Sequence, residues 1–405
     1  MTGHEERTAK RGATRRTVLW SAGAVTVLAA GGIVWRGLDR GAFTTATGPA
    51  YEPWETWNDP AHDGTPLALA AAAILSSNAH NTQPWMFKVE DGAIGVLADR
   101  SRNLGNFDPY LREMHLSLGC ALETMSVAAP AHGFTAAIQT EDGRLTAEGD
   151  RGGFSPVAVV RLTPSAAAPH AFHDAIPRRH THRGPYDREH ALPDEAVRAF
   201  HDLAQSQDVR LFLFTDGADR ERFDTLTVEA TQRIITDAPM AADSDAWFRL
   251  TRDEVERHRD GVTLDAAGLP GPIRVAAKLL PRMSAEQTNQ SWLMATRDVH
   301  LATAPVTGIL AVRDPYDLRA ALAAGRAWQR LHLWATTQGI AMQPVNQAAE
   351  IADRERQTGA DPAMGRALAD LLGTQDWRPT FLFRAGYPAA ATYPSPRRPL
   401  PAVVM

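Results

Sequence analysis

"DPYLREMHLSLGCALETMSVAAPAHGF" occupies Asp108–Phe134, and "DPYDLRAALAAGRAWQRLHLWATTQGI" occupies Asp314–Ile340. The two align without a gap. Asp-Pro-Tyr opens both; Gly119 falls on Gly325, Ala121 on Ala327, Ala129 on Ala335 and Gly133 on Gly339. Leu122 matches Trp328, Met125 matches Leu331 and Val127 matches Leu333. Apolar residues recurring every three or four positions predict one helix per copy, entered by a D-P turn and stopped at the last glycine. Alanine-rich helices can resemble each other by chance, but the shared opening and the glycines hold one register.

A second echo comes later in each copy. "PVAVVRL" (Pro156–Leu162) resembles "PTFLFRA" (Pro379–Ala385), both short β-rich runs. A fainter one pairs "NTQPW" (Asn81–Trp85) with "TNQSW" (Thr288–Trp292). The expected fold is therefore α+β, a tandem duplication in one chain, with halves at about 51–165 and 166–405. The second half is longer through residues 235–290. A plain loop of that length is unusual in a compact domain, so a lid is expected there.

At 405 residues, 44% apolar and 22% charged, the composition is that of a folded protein. A net charge of −5 offers no general argument for nucleic acid. Only Lys10, Lys88 and Lys278 are lysines, so arginine carries nearly all positive charge, which suits bidentate anion recognition. A single cysteine, Cys120, excludes an internal disulfide.

Residues 1–50 read as a signal or membrane anchor plus linker. Arg7, Lys10, Arg11, Arg15 and Arg16 precede Val18–Trp35, 18 residues without a charge. "TRRTVL" (Thr14–Leu19) resembles a twin-arginine export signal, which implies the Tat machinery as a partner. The run would span roughly 27 Å as a helix, just enough for a bilayer. No small-x-small cleavage site comes after it, so cleaved signal and retained anchor both stay open. The positive-inside rule places the body on the extracytoplasmic side.

Three stretches could carry chemistry. "SSNAHNTQPW" (Ser76–Trp85) comes directly after the helical "LALAAAAILSS" (Leu67–Ser77), with Pro84 as a stop and a hairpin expected at Asp91-Gly92. Its amides suit the edge of a flat heterocycle, or equally a helix cap with Trp85 in the core. "IPRRHTHRGPY" (Ile176–Tyr186) offers Arg178, Arg179, Arg183 and the Thr181 hydroxyl to a phosphate; a solvated basic turn is the plainer reading. "SPRRPL" (Ser395–Leu400) adds Arg397 and Arg398.

Together these stretches resemble the FMN-binding nitroreductase family, and within it the fused, single-chain Acg-like actinobacterial branch. The resemblance runs from about residue 60 to the end, outside most of 235–290. It implies FMN as cofactor, with Arg179, His180, Thr181 and Arg183 at its phosphate and pyrimidine edge. It sets Ser77, Asn78, Asn81 and Gln83 against the isoalloxazine, Gln343 and Pro344 by the N5 side, and Arg397 and Arg398 closing on the phosphate. Ser77-Asn78 replaces the family's Pro-Ser. The second half has no intact Q-P-W and the first no arginine motif, which implies one flavin between the halves.

The implied activity is two-electron reduction of nitro or quinone-like acceptors, with a small-molecule donor such as NAD(P)H. No general acid or base is identifiable, so no catalytic residue is assigned. A flavin-sequestering protein with little turnover is the alternative, favoured by the long insert and the export signal. A metal site at His170, His173, His180 and His182 competes weakly, because the neighbouring arginines repel a cation.

Overall fold

The computed structural model describes residues 37–147 and 151–405. The expected signal or anchor helix lies outside the described residues, among which no helix is long and apolar enough to cross a membrane.

Helix α1 (Pro66–Ala73) starts on a proline at its first turn, where the missing N–H costs nothing. It ends four residues before Ser77, the end expected from sequence. The carbonyl of Leu75 is instead taken by Arg179 from a distant segment, and that of Ser76 by the nearby Asn78 amide and the distant Arg397. Pro84 then sets the chain into β1 (Trp85–Glu90), which turns at Asp91-Gly92 into β2 (Ala93–Asp99), with Glu90 opposite Ala93. Gly92 sits at φ +75°, the left-handed conformation the tight turn requires. Helix α2 (Arg112–Ala128), β3 (Phe134–Thr140) and β4 (Phe154–Pro164) complete an antiparallel sheet of order β1-β2-β4-β3.

The second half contributes α3 (Asp194–Ala204), β5 (Arg210–Phe214) and the long α4 (Gly217–Thr236). The 235–290 segment folds into helices α5 (Ala238–Asp245), α6 (Arg252–His258), α7 (Gly271–Leu279) and α8 (Ala285–Met294), with a small parallel pair of β6 (Phe248–Arg249) and β7 (Val262–Thr263). Then come β8 (Val306–Val312), α9 (Leu318–Thr337), β9 (Ala341–Pro344), α10 (Gln347–Thr358), α11 (Ala363–Leu372) and β10 (Arg378–Gly386). The second antiparallel sheet has the order β5-β8-β10-β9.

The strand orders correspond position for position, and α2 and α9 occupy the same place in each half. Both helices begin at the same aligned residue, Arg112 and Leu318, and both stops are left-handed glycines, Gly133 at φ +75° and Gly339 at φ +69°. The two helices cross at the aligned glycines. A Cβ on Gly119 would overlap the Leu322 carbonyl, and one on Gly325 would overlap the Leu116 carbonyl. These contacts are reciprocal: each half presents the same patch to the other, the relation of a two-fold interface. Tyr110 and Tyr316, also aligned, pack ring on ring at 4.7 Å. Leu118, Leu122, Met125, Trp328 and Leu331 are buried around the crossing, each contributing roughly 1.5–3 kcal/mol.

The faint pairing of "NTQPW" with "TNQSW" fails. Thr288–Trp292 lies inside α8, not at a helix-to-strand corner. Ser284 caps that helix by accepting from Gln287 N, while the Gln287 side chain accepts from Ser284 N, and no proline interrupts the next turns.

The C-terminal residues cross back to the first half. Phe87 N donates to Val403 O at 2.8 Å and Met405 N to Phe87 O at 2.9 Å, so the tail pairs with the free edge of β1.

Candidate functional site

The corner between α1 and β1 is backbone held against its preference. His80 (φ +46°), Asn81 (+57°) and Gln83 (+51°) all adopt left-handed conformations, each costing on the order of 1–3 kcal/mol unless its surroundings enforce it. The enforcement is visible. Asn78 Oδ1 accepts from Gln83 N at 2.8 Å, and Asn78 Nδ2 donates to Ser76 O at 3.0 Å. Ala79 N donates to Ser117 Oγ at 3.0 Å. Ser77 N donates to the Gln329 side chain at 3.2 Å, and Ser77 Oγ lies 3.4 Å from His332 Nδ1.

Two arginines from distant segments close on the end of α1. Arg179 Nη2 donates to Leu75 O at 3.0 Å; Arg397 Nη2 reaches Leu75 O at 3.5 Å and Ser76 O at 3.3 Å. Carbonyls left over at a helix C-terminus attract cations. Arg397 Nη1 also donates to Asn81 Oδ1, and its guanidinium lies 4.6 Å over the Trp54 ring. Arg179 and Asn81 are thus joined through Leu75 and Arg397.

These cations have only neutral acceptors. Burial alone lowers Arg183 to about 10, and burial is the main cause lowering Arg179 to about 10. Burial, then Arg179, pulls Arg397 well down. Arg179 Nε and Arg397 Nε are buried without any hydrogen-bond partner. Burial, reinforced by Arg179 and Arg397, depresses His180 to about 3, so its ring, edge-on to Trp54 at 4.6 Å, is neutral. Buried guanidiniums with idle donors and no carboxylate suit a dianion such as a phosphate.

A cover lies on top, built from the 235–290 segment and the tail. Gln83 Nε2 donates to Arg259 O at 2.8 Å, Asn81 Nδ2 to Gly261 O at 3.1 Å and to Pro396 O at 2.9 Å, and Arg183 Nη1 to Ala266 O at 3.1 Å. Gly268 (φ +75°) packs so tightly on the Arg183–Gly184 backbone that any Cβ there would overlap it. Between this cover and Thr181–Gly184 remains a cavity of about 100 Å³, also lined by Arg274, Tyr393 and Asp265, whose carboxylate is paired with Lys278 and Arg274. Cofactor sites usually offer roughly 300–1,000 Å³. The cavity takes a phosphate-sized group; a ring system needs the cover displaced.

Not every expected residue joins. Arg178 is exposed and donates to Asp174 O at 2.8 Å, away from the site, because it falls on the outer side of the turn that buries Arg179. Arg398 parts from Arg397: its backbone N holds Gln83 Oε1 at 2.7 Å and its side chain reaches Gln83 O and Ala402 O, fastening the tail. Thr181 bridges to Met342 on β9. Gln343 spends its Oε1 on Arg384 Nε at 2.6 Å, and Pro344 pairs with Phe383. Asn81 and Gln83 spend their amides on the cover and the tail.

Sequence reasoning missed Trp54, Gln329, His332 and Arg384. Arg384 is a lone charge in the apolar run "FLFRAG", a legible sign of a buried role; it ties His182 O and Gly184 O at 3.2 and 2.7 Å and so shapes the arginine loop. The four histidines of the metal alternative do not converge: among the described residues no group of three or more His, Cys, Asp or Glu could hold a metal.

No family profile matches the chain. In sequence it is 27% identical over 345 residues to a Mycobacterium tuberculosis protein provisionally named an NAD(P)H nitroreductase, covering 84% of this chain and 91% of that one. The likeness is to nitroreductases. Among solved structures, the FMN-dependent nitroreductase NfnB of Mycobacterium smegmatis, in complex with NADPH, is 21% identical and aligns over 57% of this chain and 95% of its own, with a TM-score of 0.39. The FMN- and NADPH-dependent NfnB of a Sphingopyxis strain is 18% identical over 58% of this chain and 98% of its own, with a TM-score of 0.37. Both scores are too low to fix a correspondence of folds.

Proposed function

We propose that the chain is an FMN-dependent oxidoreductase of the nitroreductase type, with one flavin between two copies of a single α+β unit. The observation that carries the reading is the pair of buried arginines without a carboxylate partner, Arg179 and Arg397, that close on the amide corner, with half-buried Arg183 held by Ala266 O in the cover. The likeness to a named NAD(P)H nitroreductase along most of the chain supports the same chemistry. The shared strand order and the reciprocal Gly119 and Gly325 contacts support the duplication, and the fused Acg-like branch with it.

Arg179, Arg183 and Arg397 hold the phosphate end, with Thr181 and neutral His180 beside them. Ser77, Asn78, Asn81, Gln83 and the Gln343–Pro344 segment lie where a ring would rest once the cover yields. The flavin, when bound, supplies reversible two-electron chemistry between NAD(P)H and a nitro or quinone-like acceptor. The protein's part is charge and exclusion. Desolvated guanidiniums favour an anion beside them, and the 259–268 segment keeps water out. His180 and His332 are held neutral by burial, so neither adds a positive charge beside the ring.

The cover also favours a second reading, a flavin-sequestering protein, because it sits where a nicotinamide would approach. The visible spectrum of the purified protein tests flavin binding; a colourless chain that takes up no FMN overturns it. Anaerobic mixing of the yellow protein with NADPH then separates the readings. Bleaching within minutes supports the reductase. Colour that only dithionite removes supports sequestration. Export through the Tat route, with the body outside and Val18–Trp35 retained as an anchor, belongs to the same proposal. Cell fractionation with a carbonate wash tests it: release of the protein into the wash defeats the anchor.

A further inference from the structure

Helix α7 is built inside out. Its cations face inward: Lys278 is buried with Nζ 2.7 Å from Asp265 Oδ1, and Arg274 Nε lies 3.4 Å from the same oxygen. Its aliphatic side faces solvent. Ile273 in its first turn is 55% exposed; Leu280, in extended backbone at its C-cap, is 60% exposed and Met283 just beyond is 51% exposed. A helix that hides its charges and shows its hydrocarbons has the opposite polarity to a surface helix in water.

The start of the described chain packs alongside this helix. Lys278 Nζ, on the buried side, donates to Gly41 O at 3.2 Å and Thr44 O at 2.9 Å, and Arg40 Nη1 reaches Leu280 O, just past the helix end, at 3.3 Å. Leu38 and Phe43 on this segment are 63% and 58% exposed. Five of the large apolar side chains most open to solvent therefore share one region, more than scattered surface leucines explain. The charge-free run Val18–Trp35 ends two residues before Gly37, and covalent geometry allows at most roughly 7 Å between Trp35 and Gly37.

We infer that this face, Leu38, Phe43, Ile273, Leu280 and Met283, rests on the surface of the lipid bilayer. The inference rests on the reading of Val18–Trp35 as a bilayer anchor and adds to it an orientation: the body lies on the membrane by α7. Apolar side chains sink into the headgroup boundary, and Arg40 flanks them where anionic headgroups sit; Arg282 is already paired with Asp245. Because α7 begins directly after Gly268, the cover of the candidate site is tethered to the membrane-facing helix.

The test uses the full chain. Its single cysteine, Cys120, is buried, so Ile273→Cys and Leu280→Cys variants take an environment-sensitive fluorophore at one place each, with Glu195→Cys on α3 as control. Each is mixed with phosphatidylethanolamine–phosphatidylglycerol vesicles carrying nitroxide-labelled lipid. The expected result is co-sedimentation, with a blue shift and nitroxide quenching at 273 and 280 and neither at 195. Co-sedimentation with unchanged emission at 273 and 280 overturns the inference and leaves the anchor standing. A chain that stays in the supernatant overturns both. Emission already blue-shifted without vesicles shows another occupant and overturns the inference: the N-terminal run if dilution has no effect, a second copy if dilution reverses it.

Discussion

Arg112 and Arg179 are both buried, and their surroundings are opposite. Burial pulls Arg112 down, but Asp353, Glu113 and Asp108 outweigh it and hold its pKa above the ordinary value. Its Nε lies 2.7 Å from Asp353 Oδ2, which sits on the carboxylate that also accepts from the Tyr316 hydroxyl at 2.8 Å. Arg179 has one carbonyl, a neutral histidine and no carboxylate beside it. The first cluster surrounds its cation with acids and links Arg112 to Asp353 beside the crossing helices. The second offers its cation only neutral partners. One cation is already matched by anions; the other fits the anion site proposed above.

The contrast can be broken at its strongest point first. Arg112→Ala leaves Asp353 and Glu113 buried without their cation, and the expected loss is about 3–5 kcal/mol in a urea melt. A loss no larger than a surface substitution's would erase the distinction. Arg397→Met should act chiefly on binding. FMN affinity in a fluorescence titration falls about tenfold to a hundredfold, for a charged hydrogen bond of roughly 1.5–3 kcal/mol, while the flavin-free protein, left with Ser76 O and Asn81 Oδ1 short of a donor, loses less stability than with Arg112→Ala.

Gly325→Ala tests the seam itself. Its Cβ meets the Leu116 carbonyl, and the helices must part at a cost of about 1–3 kcal/mol. Gly119→Ala should cost a similar amount if the two halves are equivalent there. The smallest effect concerns protons. Burial, with Glu113 next, raises Asp108 from 3.8 to about 7. The folded chain therefore keeps a proton at Asp108 that the unfolded chain releases above 3.8. That stabilisation is full below 3.8 and is lost as pH rises through about 7. Asp108→Asn should flatten the fall in melting temperature across this window.

The elements of the two echoed stretches were legible because their signals are local. Helices starting at Arg112 and Leu318, stops at Gly133 and Gly339, and the turn at Asp91-Gly92 come from spacing and turn chemistry. The family resemblance pointed to the stretches that hold Asn81, Arg179 and Arg397; in the fold Arg397 reaches Asn81 and shares the Leu75 carbonyl with Arg179. What escaped was what depends on tertiary contact. "TNQSW" keeps the letters of the amide corner but lost its proline, and a capping box made it helix. Arg398 looked equivalent to its neighbour, yet adjacent residues on an extended tail point opposite ways, so only Arg397 enters the cluster. Glu350, which burial and Glu113 push well up, meets Glu113 from a helix more than two hundred residues away. No spacing rule spans that distance.

The pairing of Val403 and Met405 with Phe87 has a consequence for the order of folding. Synthesis runs from the amino end, so the outer edge of β1 stays bare until this much later stretch emerges, and Arg397 emerges with it. The edge strand and the amide corner are therefore finished by one piece of chain, which fastens the one and brings charge to the other.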